Sequence, residues 1–156
     1  MDARAALRGP RPGQAIGAFV DTNIAVYAYD RDQAAKRAIA REILAGAGGP
    51  LVVSTQVLAE FYWVATRRLG RPLTEAQAAD VVHALAELPV IATDAELVHS
   101  AIALARERRI ASWDALIVRA AQVAGCERLL SEDFQDGAQF GDLRVENPFA
   151  GLDDDP

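Results

Sequence analysis

Four carboxylates are the residues in this 156-residue chain whose types and placing could do chemistry together: Asp21, Glu60, Asp114 and Asp133. Each falls where an apolar run stops or where a helix begins. Asp21 closes Ala18-Phe19-Val20, and Asp133 follows Leu129-Leu130 by three positions. Glu60 is expected in the second turn of a helix and Asp114 in the first turn of another. Carboxylate oxygens are hard ligands suited to Mg²⁺ or Mn²⁺. Two of them about 4 Å apart repel by roughly 4 kcal/mol at an effective dielectric of 20, so a converging set either binds cations or holds a proton. Taken singly, each acid also has an ordinary role. Asp21 fits a turn or N-cap, Glu60 a solvated helix face, and Asp114 the favourable end of a helix dipole.

The elements that must position these residues follow from hydrophobic period and from stop signals. Ile16, Ala18 and Val20 predict a strand, with Thr22 or Asn23 capping a short helix through Ile24, Val26, Tyr27 and Tyr29. An Ala-rich helix over Gln33 to Ala45 stops at Gly46-Ala47-Gly48-Gly49-Pro50. The strand Leu51-Val52-Val53 leads through Ser54, a fitting N-cap, into a helix from Thr55 to about Leu69. Val57, Phe61, Val64 and Ala65 form its apolar stripe, and Glu60 lies beside it. Phe61-Tyr62-Trp63 are read as core and interface packing rather than a base-stacking platform, being consecutive on a helix rather than spread along a sheet face. Capping boxes are expected at Thr74-Glu75-Ala76-Gln77 and Thr93-Asp94-Ala95-Glu96, on either side of a strand over Pro89 to Ile91. Ser112 is the expected cap of the helix carrying Asp114. Arg128 to Leu130 and Leu143 to Val145 complete the strands. Alternating strands and helices imply an α/β fold, a single domain with a mostly parallel central sheet flanked by helices, over residues 16–148. Residues 1–15 read as a flexible leader and residues 149–156 as an acidic disordered tail.

Composition narrows the classes. A net charge of −6 argues against coating nucleic acid by bulk electrostatics. Cys126 is the single cysteine, so no internal disulfide forms, and the first residues lack an apolar signal segment. No apolar run approaches the roughly 20 residues that span a bilayer, so a cytoplasmic, non-membrane protein is expected. His83 and His99 fall on helices away from the acids, which disfavours a His-rich zinc site.

The segments Val20-Asp21-Thr22-Asn23, Ser54-Thr55-Gln56-Val57-Leu58-Ala59-Glu60-Phe61, Trp113-Asp114-Ala115-Leu116-Ile117 and Leu130-Ser131-Glu132-Asp133-Phe134 resemble, in order and spacing, the PIN-domain ribonucleases. The resemblance is to the VapC-like toxins of toxin–antitoxin systems in particular, and it spans Ala18 to Val145. It implies metal-dependent RNA cleavage at a four-acid site, here Asp21, Glu60, Asp114 and Asp133, with Thr22, Asn23 and Ser131 as accessory polar residues. It also implies a homodimer and a small antitoxin whose apolar helix occupies a groove on the toxin.

Hydrolysing a phosphodiester needs a nucleophilic water and stabilisation of charge on the phosphoryl oxygens, both of which Mg²⁺ or Mn²⁺ supplies. In this reading Asp21 and Asp114 ligate directly, while Glu60 and Asp133 complete the site. Arg67, Arg68 and Arg71 form one basic group, and Arg106, Arg108 and Arg109 a second. The second, just ahead of Asp114, is the preferred RNA contact, although both also suit helix C-termini. Two other classes compete. An aspartate-nucleophile phosphatase would want a second Asp where Asn23 stands, and a non-cleaving PIN-like interaction module would not need all four acids. A dinucleotide-binding fold is disfavoured because no glycine-rich turn follows Val20.

Overall fold

The computed structural model describes residues 17–152. The leader expected over 1–15, Ile16 and the aspartates Asp153, Asp154 and Asp155 of the expected tail lie outside them. Strand β1 (Ala18–Val20) is buried along its whole length, as a three-residue apolar run covered on both faces must be. The chain continues through α1 (Thr22–Tyr27), α2 (Ala34–Leu44), β2 (Leu51–Ser54), α3 (Thr55–Arg67), α4 (Glu75–Leu85) and β3 (Val90–Ile91). Then come α5 (Ala95–Arg108), α6 (Ser112–Val123), β4 (Arg128–Leu130), β5 (Gln139–Phe140) and β6 (Leu143–Glu146).

The six strands stand in the order β3-β2-β1-β4-β6-β5. All neighbours pair in parallel except β5 with β6, so the expected mostly parallel sheet is what the chain forms. After β1 the chain builds outward on one side through β2 and β3, then returns to place β4 on the other side. The gap beyond the carboxyl ends of β1 and β4 is therefore the switch point of the sheet, where ligands bind in open α/β folds. Phe19, Val53, Leu129, Val118 and Val145 fill the core, each with no exposure. Phe61 and Ala65 of α3 pack with Ala25, Val26 and Leu85 into a second cluster between α1, α3 and α4.

Some local readings are corrected. Asp21, not Thr22 or Asn23, caps α1, its backbone being extended and its carboxylate accepting from the Thr22 amide. Asp94, not Thr93, caps α5, because its side chain reaches the Leu97 amide at 2.8 Å while the Thr93 hydroxyl is engaged with Thr55. Ser112 is the first residue of α6 rather than its cap. Ala111 holds the extended cap position without a side-chain bond, after a turn in which Arg109 adopts a left-handed φ of 56°. Ser54 and the Thr74–Gln77 capping box hold as read. Strand β5 is an addition to the strands expected from the sequence; it joins β6 through Gly141-Asp142, with Gly141 at the positive φ of 61° that a two-residue hairpin turn needs.

The fold also runs past the boundary drawn at 148. Phe149 is only 2% exposed and meets the Tyr27 ring edge-on at 5.0 Å. An apolar side chain with a pocket to fill stays with the core, whatever follows it. Among the described residues no helix is long and apolar enough to cross a membrane.

Candidate functional site

The site begins with Asp21, whose placement at the end of β1 is fixed by its own backbone: its amide donates to the Leu130 carbonyl across the switch point at 3.0 Å. Only 4% of the residue is exposed. One carboxylate oxygen accepts from the Thr22 amide at 2.7 Å and the other from the Ser131 hydroxyl at 2.7 Å. Ser131, fully buried after β4, also accepts from the Asn23 side-chain amide at 3.3 Å and from the Asp133 amide at 3.1 Å. A hydroxyl has one proton to give and two lone pairs, and all three are used here. Ser131 thus ties Asp21 to the loop that carries Asp133. Asn23 grips the same loop a second time, its carbonyl accepting from the Glu132 amide at 3.3 Å.

Glu60 arrives from the other side on α3. The Thr22 hydroxyl donates to one of its oxygens at 2.8 Å, and Gln56, one turn earlier, donates to the other at 2.9 Å. The Gln56 amide also reaches the Trp113 carbonyl at 3.3 Å, which links the start of α3 to the start of α6 and so to Asp114. Of the four acids, Asp21 is buried, Glu60 and Asp114 are half-buried and Asp133 is exposed. A gradient from anchored to open suits a site that faces solvent on one side.

Electrostatics join the four. Burial pushes the Asp21 carboxyl up to about 7; the bonds from Ser131 and Thr22 pull it down, and the charges of Asp133 and Glu60 raise it further. Asp114 is also raised, first by burial and then by the charges of Asp133 and Glu60. Among the described residues, however, no three Asp, Glu, His or Cys side chains stand close enough to form a ready cage for an ion. The two findings are compatible, because electrostatic influence reaches farther than a coordination bond. The donor set is all oxygen and its buried member is held part-way to its neutral form. A hard divalent cation would answer both conditions, so the residues fit such an ion.

The second group of arginines lies apart from this hydrogen-bonded cluster. The Arg108 guanidinium donates to the Gln139 carbonyl at 3.2 Å and lies 4.4 Å from the centre of the Phe140 ring, fastening α5 to β5. Arg106 and Arg109 are exposed. Residues without a role in the sequence reading also enter. Lys36, the single lysine of the chain, donates to both oxygens of Glu132 at 3.0 and 3.1 Å and to the Tyr27 hydroxyl at 3.4 Å. Its ammonium stands 4.7 Å from the Tyr27 ring centre. Because Glu132 lies between Ser131 and Asp133, this clamp holds the acid-bearing loop from outside. The signal for Gln56 was its position four residues before Glu60, on the same face of one helix.

The PIN domain family model matches residues 18–135. The chain belongs to the PIN-domain family. No curated protein matches it. Solved PIN-domain structures share its fold. A toxin–antitoxin complex from Klebsiella pneumoniae superposes with a TM-score of 0.62 at 24% identity, over 85% of this chain and 98% of that one. VapC20 of Mycobacterium tuberculosis, a sarcin-ricin loop cleaving toxin, gives 0.62 at 21%, over 82% and 99%. A DNA-bound VapBC complex from Salmonella typhimurium gives 0.60 at 16%, over 86% and 99%.

Proposed function

We propose that this PIN domain is a divalent-metal-dependent endoribonuclease, the toxin of a toxin–antitoxin pair. The observation that carries the reading is the buried Asp21 carboxylate at the switch point. It is oriented by Ser131 and the Thr22 amide, and it shares one negative field with Glu60 and Asp133. Asp114 lies in that field as well. In this proposal Asp21 and Asp114 ligate Mg²⁺ or Mn²⁺, and Glu60 and Asp133 complete the site directly or through water. Such an ion supplies Lewis-acid stabilisation of phosphoryl charge and a water acidic enough to attack at neutral pH.

The chain's own residues do the rest. Thr22 and Gln56 each occupy one oxygen of Glu60, which fixes the plane of that carboxylate. Asn23, Ser131 and the Lys36–Glu132 clamp hold the loop, so Asp133 is presented from a rigid support despite its exposure. Two hydroxyls and two amides thus set where acidic oxygens face an entering phosphate. Arg106 and Arg109, both exposed, are proposed to meet backbone phosphates.

RNA as substrate and an antitoxin as partner are supported by the relatives: one is described as a toxin cleaving the sarcin-ricin loop, and others as toxin–antitoxin complexes. The antitoxin would lay an apolar helix in a groove of this chain, which would act as a homodimer in the cytoplasm. The test is cleavage of RNA by purified, partner-free protein with Mg²⁺ or Mn²⁺, against excess EDTA and an Asp114→Asn control. Cleavage that stops in EDTA and in the control is expected. Cleavage that persists in EDTA yet vanishes in Asp114→Asn would refute the metal mechanism, and none under any condition would refute the nuclease reading.

A further inference from the structure

Beside Glu60 lies a groove of about 1130 Å³ lined by Thr55, Gln56, Glu60, Trp63, Trp113 and Leu116 among others. It exceeds the roughly 300–1,000 Å³ of small-molecule pockets, and it opens directly from the acidic site through Glu60. Its walls carry both tryptophans of the chain. Trp113 is 67% exposed and Trp63 is 43% exposed, on a protein whose other large aromatic core residues are covered. Nothing in the packing requires two indoles in water there. Trp113 immediately precedes Asp114. Trp63 is one turn beyond Glu60 on α3, so Gln56, Glu60, Trp63 and Arg67 share one helix face.

Charge complements the rings. The guanidinium of Arg68 lies 4.8 Å from the centre of the Trp63 ring and that of Arg67 lies 5.8 Å from it. Ion pairs among the described residues involve Lys36, Arg71 and Arg128. Arg67 and Arg68 are exposed and keep their charge free. A groove that offers stacking faces, adjacent free cations and the carbonyl oxygen of Gln56, whose amide N–H groups serve Glu60 and Trp113, meets the three needs of an unpaired polynucleotide: base stacking, phosphate neutralisation and an edge contact. An apolar protein helix would be served by the rings but not by two cations at one end of the groove.

We propose that this groove is the subsite for single-stranded RNA flanking the scissile phosphate, with one base stacked on Trp113 and the neighbouring backbone led past Trp63 to Arg67 and Arg68. The proposal rests on the ribonuclease reading. It revises the packing role expected for Trp63 and adds Arg67 and Arg68 to the phosphate contacts proposed for Arg106 and Arg109.

Since both indoles line the groove, tryptophan fluorescence reports on its occupancy. Asp21→Asn protein, substituted away from the groove to prevent turnover, is titrated with an unstructured fluorescein-labelled decaribonucleotide. Anisotropy measures binding and indole quenching measures occupancy. Quenching that saturates with the same Kd as anisotropy is expected. Trp113→Ala should weaken binding about 10-fold or more, with Trp113→Phe restoring most of it, because stacking needs a ring rather than an indole. Arg67→Ala with Arg68→Ala should lower the salt dependence of binding by about two phosphate contacts.

RNA that binds without quenching the indoles, and with unchanged affinity in Trp113→Ala and Trp63→Ala, would overturn the subsite while leaving the ribonuclease reading intact. No RNA binding at all would overturn both. Indole emission that shifts with protein concentration and without RNA, together with loss of self-association in Trp113→Ala, would assign the groove to a second copy of the chain and overturn the proposal.

Discussion

Replacing Asp21 by Asn removes a buried negative charge while keeping nearly the same shape, and the sign of its effect on stability depends on pH. The carboxyl titrates at about 7 in the fold and at 3.8 when unexposed to it, a difference that costs the fold about 4 kcal/mol once both states are ionised. The folded value is raised, so the native state holds its proton over a pH range where the unfolded chain has released it. Parent stability therefore falls, through this residue, as pH rises from about 4 to about 7, and levels off above. Asn returns part of the gain, because its single carbonyl oxygen can accept only one of the two bonds that the carboxylate takes from Ser131 and the Thr22 amide, a loss of about 1–2 kcal/mol. In EDTA, Asp21→Asn should thus match the parent near pH 4 and exceed it by about 2–3 kcal/mol at pH 8.5. Urea denaturation of both proteins across that range measures the difference. Saturating Mn²⁺ at pH 8.5 should then narrow or reverse it, since about 2.7 kcal/mol accrues to a fold that binds a ligand present at 100 times its Kd. A variant less stable than the parent at pH 8.5 in EDTA, or a gap that does not change with pH, would refute the account of Asp21 as a destabilised, charge-crowded carboxylate.

Protons compete with metal for the same oxygens, so metal affinity measured by calorimetry should weaken towards 10-fold for each pH unit below about 7, where Asp21 becomes protonated; a flat profile between pH 5.5 and 7 would exclude Asp21 as a ligand. Thr22→Val deletes the hydroxyl that orients Glu60 and should lower kcat about 10–100-fold while stability falls by about 1–2 kcal/mol, read from RNA cleavage and urea melts; an unaltered kcat would leave Thr22 a packing residue. Lys36→Met leaves Glu132 without its cation in a pair whose side chains are 19% and 29% exposed, and should cost about 1–3 kcal/mol, between the ranges for surface and buried pairs. Faster amide exchange over Ser131 to Phe134 should accompany it, and unchanged exchange would separate the clamp from the loop.

How much of this was legible in the sequence depended on whether a feature is local or long-range. The parallel sheet could be read because each buried strand is a short apolar run ending in a polar residue, as Val20-Asp21 and Val53-Ser54 show. Period and cap are local properties. The hairpin of β5 and β6 was missed although Gly141-Asp142 is a sound turn signal, because a two-residue strand such as Gln139–Phe140 has no alternation to detect. The cap of α1 was misplaced for a related reason: Asp21, Thr22 and Asn23 are all good caps, and the choice among them is made by the strand register that pins the Asp21 amide to Leu130. The clamp on Glu132 was beyond reach, since Lys36 and Glu132 are brought together by the packing of α2 beside the β4 loop. A lone lysine in an arginine-rich chain was visible, but nothing local said what it faces. The exposure of Trp63 was hidden by its neighbours, because Phe61 two positions earlier does take the core role expected of all three aromatics.

The local rules and the site also pull in opposite directions, and the conflict is informative. Ser131, Thr22 and Asn23 are engaged with carboxylates and with one loop, while the single lysine, Lys36, neutralises Glu132 rather than Asp133. The influences acting on Asp21 are burial, two hydrogen bonds and two further negative charges. A fold selected only for stability would have placed a cation there or an apolar side chain, because an uncompensated buried charge is among the costliest features a core can hold. Here the cationic side chain stands one residue to the side, where it stiffens the loop without quenching the field. Rigid support combined with uncancelled negative charge destabilises the isolated protein and favours a ligand that brings its own positive charge. This is the opposite of what a structural ion pair achieves, and it favours the proposal that the four acids act as one site.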